Sequence, residues 1–295
     1  VVQPRPHSPT TSGTAPAEQP EGDCSKAPSP FADILCAVDG SRGSSEAVRQ
    51  AIALCGPGTK LSFLAISHTV GVGLSAQADL SEPRARDALR DASWLAQKAG
   101  VHASTDLRAG APPSDLLLSA REGHDLLVLG CHGGSRAGGI MLGSTATQIA
   151  HRTEGALLVA RRTVDDGDFP RSLLLATDGS SGSWAATRTA TRVAQACLSE
   201  LRVVHVPDGT HPERYREVLR QIAVIEKLTG VIPLVIDTPG HPAERISEAA
   251  RVGQSSLIVI GRRGLRGVKA LGSVSERIMH RAPCSVLIVP AGDDR

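Results

Sequence analysis

An internal repeat constrains this chain more than any other feature. The stretch Ile34-Leu35-Cys36-Ala37-Val38-Asp39-Gly40-Ser41 recurs as Leu173-Leu174-Leu175-Ala176-Thr177-Asp178-Gly179-Ser180. In each, a short aliphatic run ends in Asp-Gly-Ser and leads into a helical pattern. Each copy later carries a second strand-like run that ends in a glycine-rich loop, over Leu126 to Gly143 and over Leu257 to Gly272. A duplication on this scale predicts two like domains, which suits a chain of 295 residues at roughly 150 residues per domain.

Within each copy, strands alternate with helices. The first copy predicts strands at Ile34–Val38, Leu61–Ile66, Val101–Leu107, Asp125–Leu129 and Ala156–Ala160. Between them fall helices at Ser45–Cys55, Arg86–Lys98, Ser114–Arg121 (opened by Pro112 and Pro113) and Ser144–Arg152, with a loose connection over 68–79. The second copy predicts strands at Leu173–Ala176, Leu201–Val206, Ile232–Ile236, Leu257–Ile260 and Val286–Val289. Its helices are Ser183–Cys197, a segment with Tyr215, Val218, Leu219, Ile222 and Ile225 on one stripe, Ala243–Arg251 and Ser273–His280. Aromatic residues are only 2% of the chain, so the core must come from Leu, Val, Ile and Ala, as in parallel strands buried on both faces. Alternating strands and helices imply right-handed βαβ units. The expected class is α/β: two tandem doubly wound, Rossmann-like domains, each a five-stranded parallel sheet with helices on both faces.

The expected divisions are a tail over 1–30, a first domain over 31–162, a polar linker over 163–170 and a second domain over 171–291. The tail holds seven prolines among Ser, Thr and Gly, a composition that favours disorder. It has no apolar stretch of the secretory kind, and no run elsewhere approaches the ~20 residues of a membrane span. A net charge of +2 gives no reason to expect nucleic acid or a membrane surface as partner. The six cysteines, Cys24, Cys36, Cys55, Cys131, Cys197 and Cys284, show no metal-ligand spacing. Cys36, Cys55, Cys197 and Cys284 lie in apolar runs, where free cysteine behaves as a small core residue. Cys131, in the first glycine loop, is the one thiol placed to be accessible, and spacing alone assigns it no redox role. A reduced, cytoplasmic protein is expected.

In an open parallel sheet, ligands bind beyond the carboxyl ends of the strands where strand order reverses. Asp39 and Asp178 follow the first strand of each copy, and Gly130 and Gly261 lie just past the fourth. Strands one and four flank the reversal, so both signatures converge on one crevice per domain. The first loop runs Gly130-Cys131-His132-Gly133-Gly134-Ser135-Arg136-Ala137-Gly138-Gly139-Ile140-Met141-Leu142-Gly143-Ser144-Thr145. Glycines let backbone N–H groups approach an anion, and Ser144 is expected to cap a helix whose N-terminus suits a phosphate. No Gly-Lys-Ser/Thr ending is present, so this is not a P-loop.

Asp-Gly-Ser after strand one, then Gly-x2-Gly-x9-Gly-Ser after strand four, resembles the universal stress protein family. So does the ending that runs through Gly261-Arg262-Arg263-Gly264, Leu271-Gly272-Ser273-Val274 and Ala282-Pro283-Cys284-Ser285-Val286-Leu287-Ile288-Val289. The resemblance covers about 31–291. It implies a stress-response regulator binding ATP or a related adenine nucleotide, with Mg2+ as an optional companion. By motif position it implies that Asp39 contacts the adenosine and Ile66 walls the adenine. Gly130, Gly133, Arg136, Gly143, Ser144 and Thr145 would hold the phosphates. The matching positions in the second copy are Asp178, Val206, Gly261, Gly264, Gly272, Ser273 and Val274. That copy departs from the pattern, because Gly264 and Gly272 enclose seven residues where nine are expected. Arg262, Arg263, Arg266 and Lys269 either offset this with charge on a phosphate or form a solvated basic rim.

Turnover would need groups that the sequence does not assemble. His132 has an arginine at its place in the second copy and no partners of its own, and His68, His102, His151, His205 and His280 lack a Ser, Asp or metal constellation. No catalytic residue and no metal site is assigned, and hydrolysis, if any, is expected to be slow. The alternatives are a non-nucleotide interaction scaffold of the same family and a nucleotide-dependent enzyme. The aliphatic fifth strands should lie at sheet edges, which invite pairing. The resemblance implies that they pair domain with domain inside the chain, and a further homodimer stays open.

Overall fold

The computed structural model describes residues 28–67, 81–110, 112–131, 142–162, 169–207, 213–262 and 271–291. The first half runs β1 (Asp33–Ala37), α1 (Arg42–Ala53), β2 (Lys60–Ser67), α2 (Glu82–Lys98), β3 (Ala103–Ala109), α3 (Pro113–Ala120), β4 (Leu126–Gly130), α4 (Ser144–Arg152) and β5 (Ala156–Ala160). The second runs β6 (Ser172–Thr177), α5 (Ser181–Cys197), β7 (Glu200–His205), α6 (Glu213–Thr229), β8 (Leu234–Asp237), α7 (Pro242–Val252), β9 (Leu257–Gly261), α8 (Ser273–Arg281) and β10 (Ser285–Val289). Most of the expected tail, connection and linker lies outside the described residues. Where the tail ends, Ser29 Oγ donates to the Leu54 carbonyl at 2.7 Å and Phe31 is buried.

Several helices begin earlier than their apolar patterns suggest, because the polar residues before the pattern open them. Ser41 of the Asp-Gly-Ser turn is itself the N-cap of α1, its hydroxyl accepting from the Ser44 N–H, so the helix starts at Arg42 instead of Ser45. Helix α2 starts at Glu82 instead of Arg86, with proline in its first turn, a position where a missing N–H costs nothing. The stripe expected on α6 is corrected. Val218, Gln221 and Ile225 face inward, while Tyr215 and Leu219 are exposed at 42% and 47%. Gln221 turns that face inward because its amide is needed by a buried hydroxyl cluster beneath the β6 turn. Strand β8 begins two residues later than expected, and Ile232 is 68% exposed, since no strand covers the outer side of this last edge.

All ten strands form one sheet in the order β3-β2-β1-β4-β5-β10-β9-β6-β7-β8. Each half is parallel, with Ile34 opposite Leu61 on one side and opposite Leu126 on the other. The order reverses between β1 and β4, and again between β6 and β9. The fifth strands meet at the centre and pair antiparallel, with Val286 opposite Val159, Leu287 opposite Leu158 and Ile288 opposite Leu157. Two continuous apolar layers therefore cross both halves. Leu158 and Leu287 join the layer under α1, α2 and α5, while Leu157, Val159, Val286 and Ile288 join the layer under α3, α4, α7 and α8. Cys36, Cys55 and Cys284 are buried and Cys197 is half-buried, as the apolar runs imply. No helix among the described residues is long and apolar enough to cross a membrane.

Polar groups trapped at this seam are paired across it. The Arg161 N–H donates to Ser285 Oγ at 2.9 Å, and that hydroxyl donates to Gln50 Oε1 at 2.8 Å. Gln50 Nε2 in turn reaches the Arg161 carbonyl at 2.9 Å and Glu46 at 2.8 Å. A buried donor or acceptor stripped of its partner costs about 1–3 kcal/mol. Ser285→Ala leaves the Arg161 N–H and Gln50 Oε1 unsatisfied together, so urea unfolding should show a loss of about 1–3 kcal/mol or more. A midpoint equal to that of the unsubstituted protein would show that the seam does not need this bridge.

Candidate functional site

The carboxyl ends of β1, β2 and β4 open on one edge of the first half. There the chain leaves β1 through Asp39 and turns at Gly40, whose φ of +72° favours glycine. The Ser41 N–H donates to Asp39 Oδ1 at 2.9 Å, and the Asp39 N–H donates to Ser44 Oγ at 3.1 Å. These bonds fix the carboxylate over the start of α1 while Asp39 itself stays exposed. Ile66, near the end of β2, is buried with Leu64, Leu129 and Leu142. It therefore walls the side of the crevice toward α3 and α4.

Gly130 ends β4 against the first turn of α1. A Cβ there would lie 2.4 Å from the Gly43 carbonyl carbon and 2.7 Å from the Ser44 nitrogen. Its need for glycine thus comes from helix-on-strand packing, which brings the turn after β1 close to the loop after β4. That loop leaves at Cys131, whose N–H donates to the Ala160 carbonyl at 3.0 Å, and it returns at Gly143, whose N–H donates to the Cys131 carbonyl at 2.8 Å. Gly143 is the N-cap of α4 and Ser144 the first helical residue, which corrects the expectation that Ser144 caps the helix. Glycine at the cap offers no side-chain oxygen. Among the described residues no side chain caps α4, so its first-turn N–H groups stand at the loop end of the crevice, beside exposed Ser144 and half-buried Thr145. Gly133, Arg136 and His132 lie outside the described residues.

The second half repeats this frame and fills it differently. Its loop is pinned by the equivalent bond, from the Gly272 N–H to the Arg262 carbonyl at 3.0 Å, and Gly272 caps α8 ahead of exposed Ser273 and half-buried Val274. The missing two residues are thus taken up between identical anchor points. Gly261 ends β9 and is buried, and Val206 follows β7 at 9% exposure. Asp178 Oδ1 accepts both the Ser180 N–H at 3.0 Å and the Ser180 hydroxyl at 2.6 Å. Gly179 is buried under α6, where an added Cβ would stand 2.6 Å from the Arg214 carbonyl oxygen. Beneath it, Thr177 Oγ1 donates to Gln221 Oε1 at 2.5 Å, and Gln221 Nε2 donates to Ser183 Oγ at 2.8 Å. This network draws the first turns of α6 over the second Asp-Gly-Ser turn, whereas in the first copy Gly40 is exposed and an added Cβ would meet only ordinary contact, at 3.6 Å from Ala88 of α2, among the described residues.

Two expectations about charged groups are corrected. Arg262 is neither a solvated rim residue nor directed at the second loop's crevice. It is 3% exposed, and its Nη1 donates across the seam to the Ala150 carbonyl of α4 at 2.8 Å. The apolar layer buries it because it follows directly on β9. Arg263, Gly264, Arg266 and Lys269 lie outside the described residues. His205, which the sequence leaves without a constellation, is buried with Asp237 Oδ1 at 3.3 Å and the Tyr215 ring at 5.8 Å. Parallel pairing of β7 with β8 places His205 opposite Asp237, and register between strands is not readable from spacing along one chain. Among the described residues, no group of three His, Cys, Asp or Glu side chains could hold a metal.

Residues 30–161 and 170–290 match the profile described as the Universal stress protein family. A universal stress protein of Mycolicibacterium smegmatis is 28% identical over 288 residues, covering 87% of this chain and 96% of that protein. One of Thermus aquaticus is 37% identical over 134 residues, covering 40% of this chain and 98% of that protein. The crystal structure of a universal stress protein from Archaeoglobus fulgidus superposes with a TM-score of 0.71 at 23% identity, covering 88% of this chain and 99% of that one. At that identity the likeness is one of fold.

Since the Gly130 position is set by backbone packing, Gly130→Ala should lower the melting temperature without any ligand present. Overpacking of this kind costs about 1–3 kcal/mol. An unchanged apo melting temperature would mean that α1 and β4 can separate freely at this point.

Proposed function

This chain belongs to the universal stress protein family, and from that premise we propose that it is a nucleotide-dependent regulator whose first half binds ATP. The supporting observation is the inequality of the two Asp-Gly-Ser turns. Asp39 is exposed at the mouth of a crevice that also receives the uncapped N-terminus of α4. Its counterpart Asp178 is half-buried, accepts the Ser180 hydroxyl as well as its N–H, and lies beside a glycine covered by α6. The donor set of the first crevice fits the nucleotide. A carboxylate accepts from ribose or adenine, an aliphatic wall at Ile66 faces the base, and helix N–H groups with Ser144 and Thr145 donate to phosphate oxygens. Gly130, Gly133, Arg136 and Gly143 complete the site in this reading. Asp178, Val206, Gly261, Gly264, Gly272, Ser273 and Val274 form a second site that stays weak or empty while α6 covers it. With no ready set of carboxylates among the described residues, any Mg2+ would be held by the phosphates and water.

Regulation follows from what α4 touches. Its N-terminus meets the phosphates, and its last turn accepts the hydrogen bond of Arg262, the first residue of the other half's loop. Occupancy can shift the relation of the halves only by its differential affinity for their arrangements. Binding, with slow hydrolysis or none, suffices for this role, since among the described residues no side chain in the crevice is set to orient an attacking water.

Calorimetry should find one ATP per chain. Asp39→Ala should weaken binding tenfold or more, because a hydrogen bond to a charged group contributes about 1.5–3 kcal/mol, while Asp178→Ala should change it little. Absence of binding at millimolar ATP would favour the interaction-scaffold reading. Robust multi-turnover ATP hydrolysis abolished by Asp39→Ala would make the protein an enzyme.

A further inference from the structure

We propose that Cys131 is a reactive thiol, held as thiolate against the buried Arg161 guanidinium and oxidised by hydrogen peroxide to a sulfenic acid. Three neighbouring strand ends place the groups in a row. Gly130 lies opposite Ala160, so Cys131 follows β4 beside Arg161, its N–H bonded to the Ala160 carbonyl. Arg161 follows β5 and is bonded through its N–H to Ser285, with Cys284 next to it at the start of β10. Cys131 and Cys284 both pack into the layer under α4 and α8, and Arg161 reaches into that layer to donate Nη2 to the Met279 carbonyl of α8.

Arg161 is 6% exposed, and its Nε and Nη1 have no hydrogen-bond partner among the described residues. A buried cation without a counter-ion is costly. Burial pulls the guanidinium pKa down, and the charges opposing that pull are those of Cys131 and Cys284. Cys284 cannot be the counter-ion, because burial pushes its thiol up to about 12 despite Arg161. Cys131 is only partly buried and so can ionise and be reached from solvent. A thiolate beside a guanidinium is the form that attacks peroxides.

In the step, the Cys131 sulfur attacks one oxygen of hydrogen peroxide, so that the S–O bond forms as the O–O bond breaks. Sulfur loses two electrons to the peroxide. The departing hydroxide takes up the proton that the thiol released and leaves as water. A disulfide with Cys284 is not available. The two residues lie two strand spacings apart, about 9–10 Å, and a disulfide requires Cα atoms within about 7 Å. The opposite end of the seam has Arg262, Pro290 and Gly155 in the matching places, so the thiol is confined to one end.

Iodoacetamide alkylation of the full chain, followed residue by residue by peptide mass spectrometry over a pH series, tests this. Cys131 should react with a midpoint at least one unit below the ~8.5 of an ordinary cysteine. Arg161→Gln should raise that midpoint by about a unit or more, Arg161→Lys should restore most of the difference, and Cys284→Ser should leave it unchanged. After hydrogen peroxide, dimedone should label Cys131 in the unsubstituted protein. A Cys131 midpoint at or above ~8.5, or one that Arg161→Gln does not move, overturns the proposal. If Arg161→Gln fails to fold, the midpoint of the unsubstituted protein decides alone. No nucleotide enters the experiment, so its failure is distinct from failure of the ATP site.

Discussion

The structure depends on one antiparallel strand pair. Each half of this protein, taken alone, would end in an aliphatic strand with an open edge, and such an edge pairs with whatever strand it meets. Here β5 and β10 meet each other through Val159 with Val286, Leu158 with Leu287 and Leu157 with Ile288. The pairing satisfies both edges and merges two small cores into two continuous layers, one on each face of the sheet. It also buries groups that were never apolar. Gln50, Arg161, Ser285 and Arg262 are all below 10% exposure, and burial obliges each to find partners across the seam.

The seam connects the two crevices in a crossed manner. Arg262 begins the second loop and holds the last turn of α4, whose first turn lines the first loop. Arg161 stands beside the start of the first loop and holds the last turn of α8, whose first turn lines the second. Ala150 and Met279, the two acceptors, occupy the same place in their helices. The arginines do not occupy equivalent places: one follows a fourth strand and the other a fifth. The duplicated frame therefore keeps a two-fold arrangement of helix anchors while reaching it with different residues.

Divergence between the copies is concentrated where the frame permits it. Both loops are pinned at the same two backbone positions, so a length change between the pins leaves the sheet and the helices undisturbed. The hydroxyl cluster of Thr177, Ser183 and Gln221 is kept only in part in the first copy, where buried Ser44 matches Ser183 but Val38 stands in the place of Thr177.

Periodicity and repetition determined the α/β class, the tandem halves and the alternation of ten strands with eight helices, while the meeting of the fifth strands was implied by the family resemblance. Continuous aliphatic runs bounded by turns and alternating with helical patterns fit buried parallel strands. Local sequence also located the carboxyl ends where Asp39, Gly130 and Gly143 converge, because a switch point follows from strand order. What each residue does there was decided by contacts between segments far apart in the chain. Glycine at 130 answers to the backbone at Gly43, Ser144 yields the cap to Gly143, and Arg262 turns from the loop to the other half. Gly179 is covered by a helix that begins more than thirty residues later, and Cys131 is set beside the end of β5 by its bond to the Ala160 carbonyl. Side-chain spacing along one strand or helix is set by backbone geometry and can be read from sequence. Register between strands, close approach between backbones and the partner of a buried charge exist only once the sheet has closed.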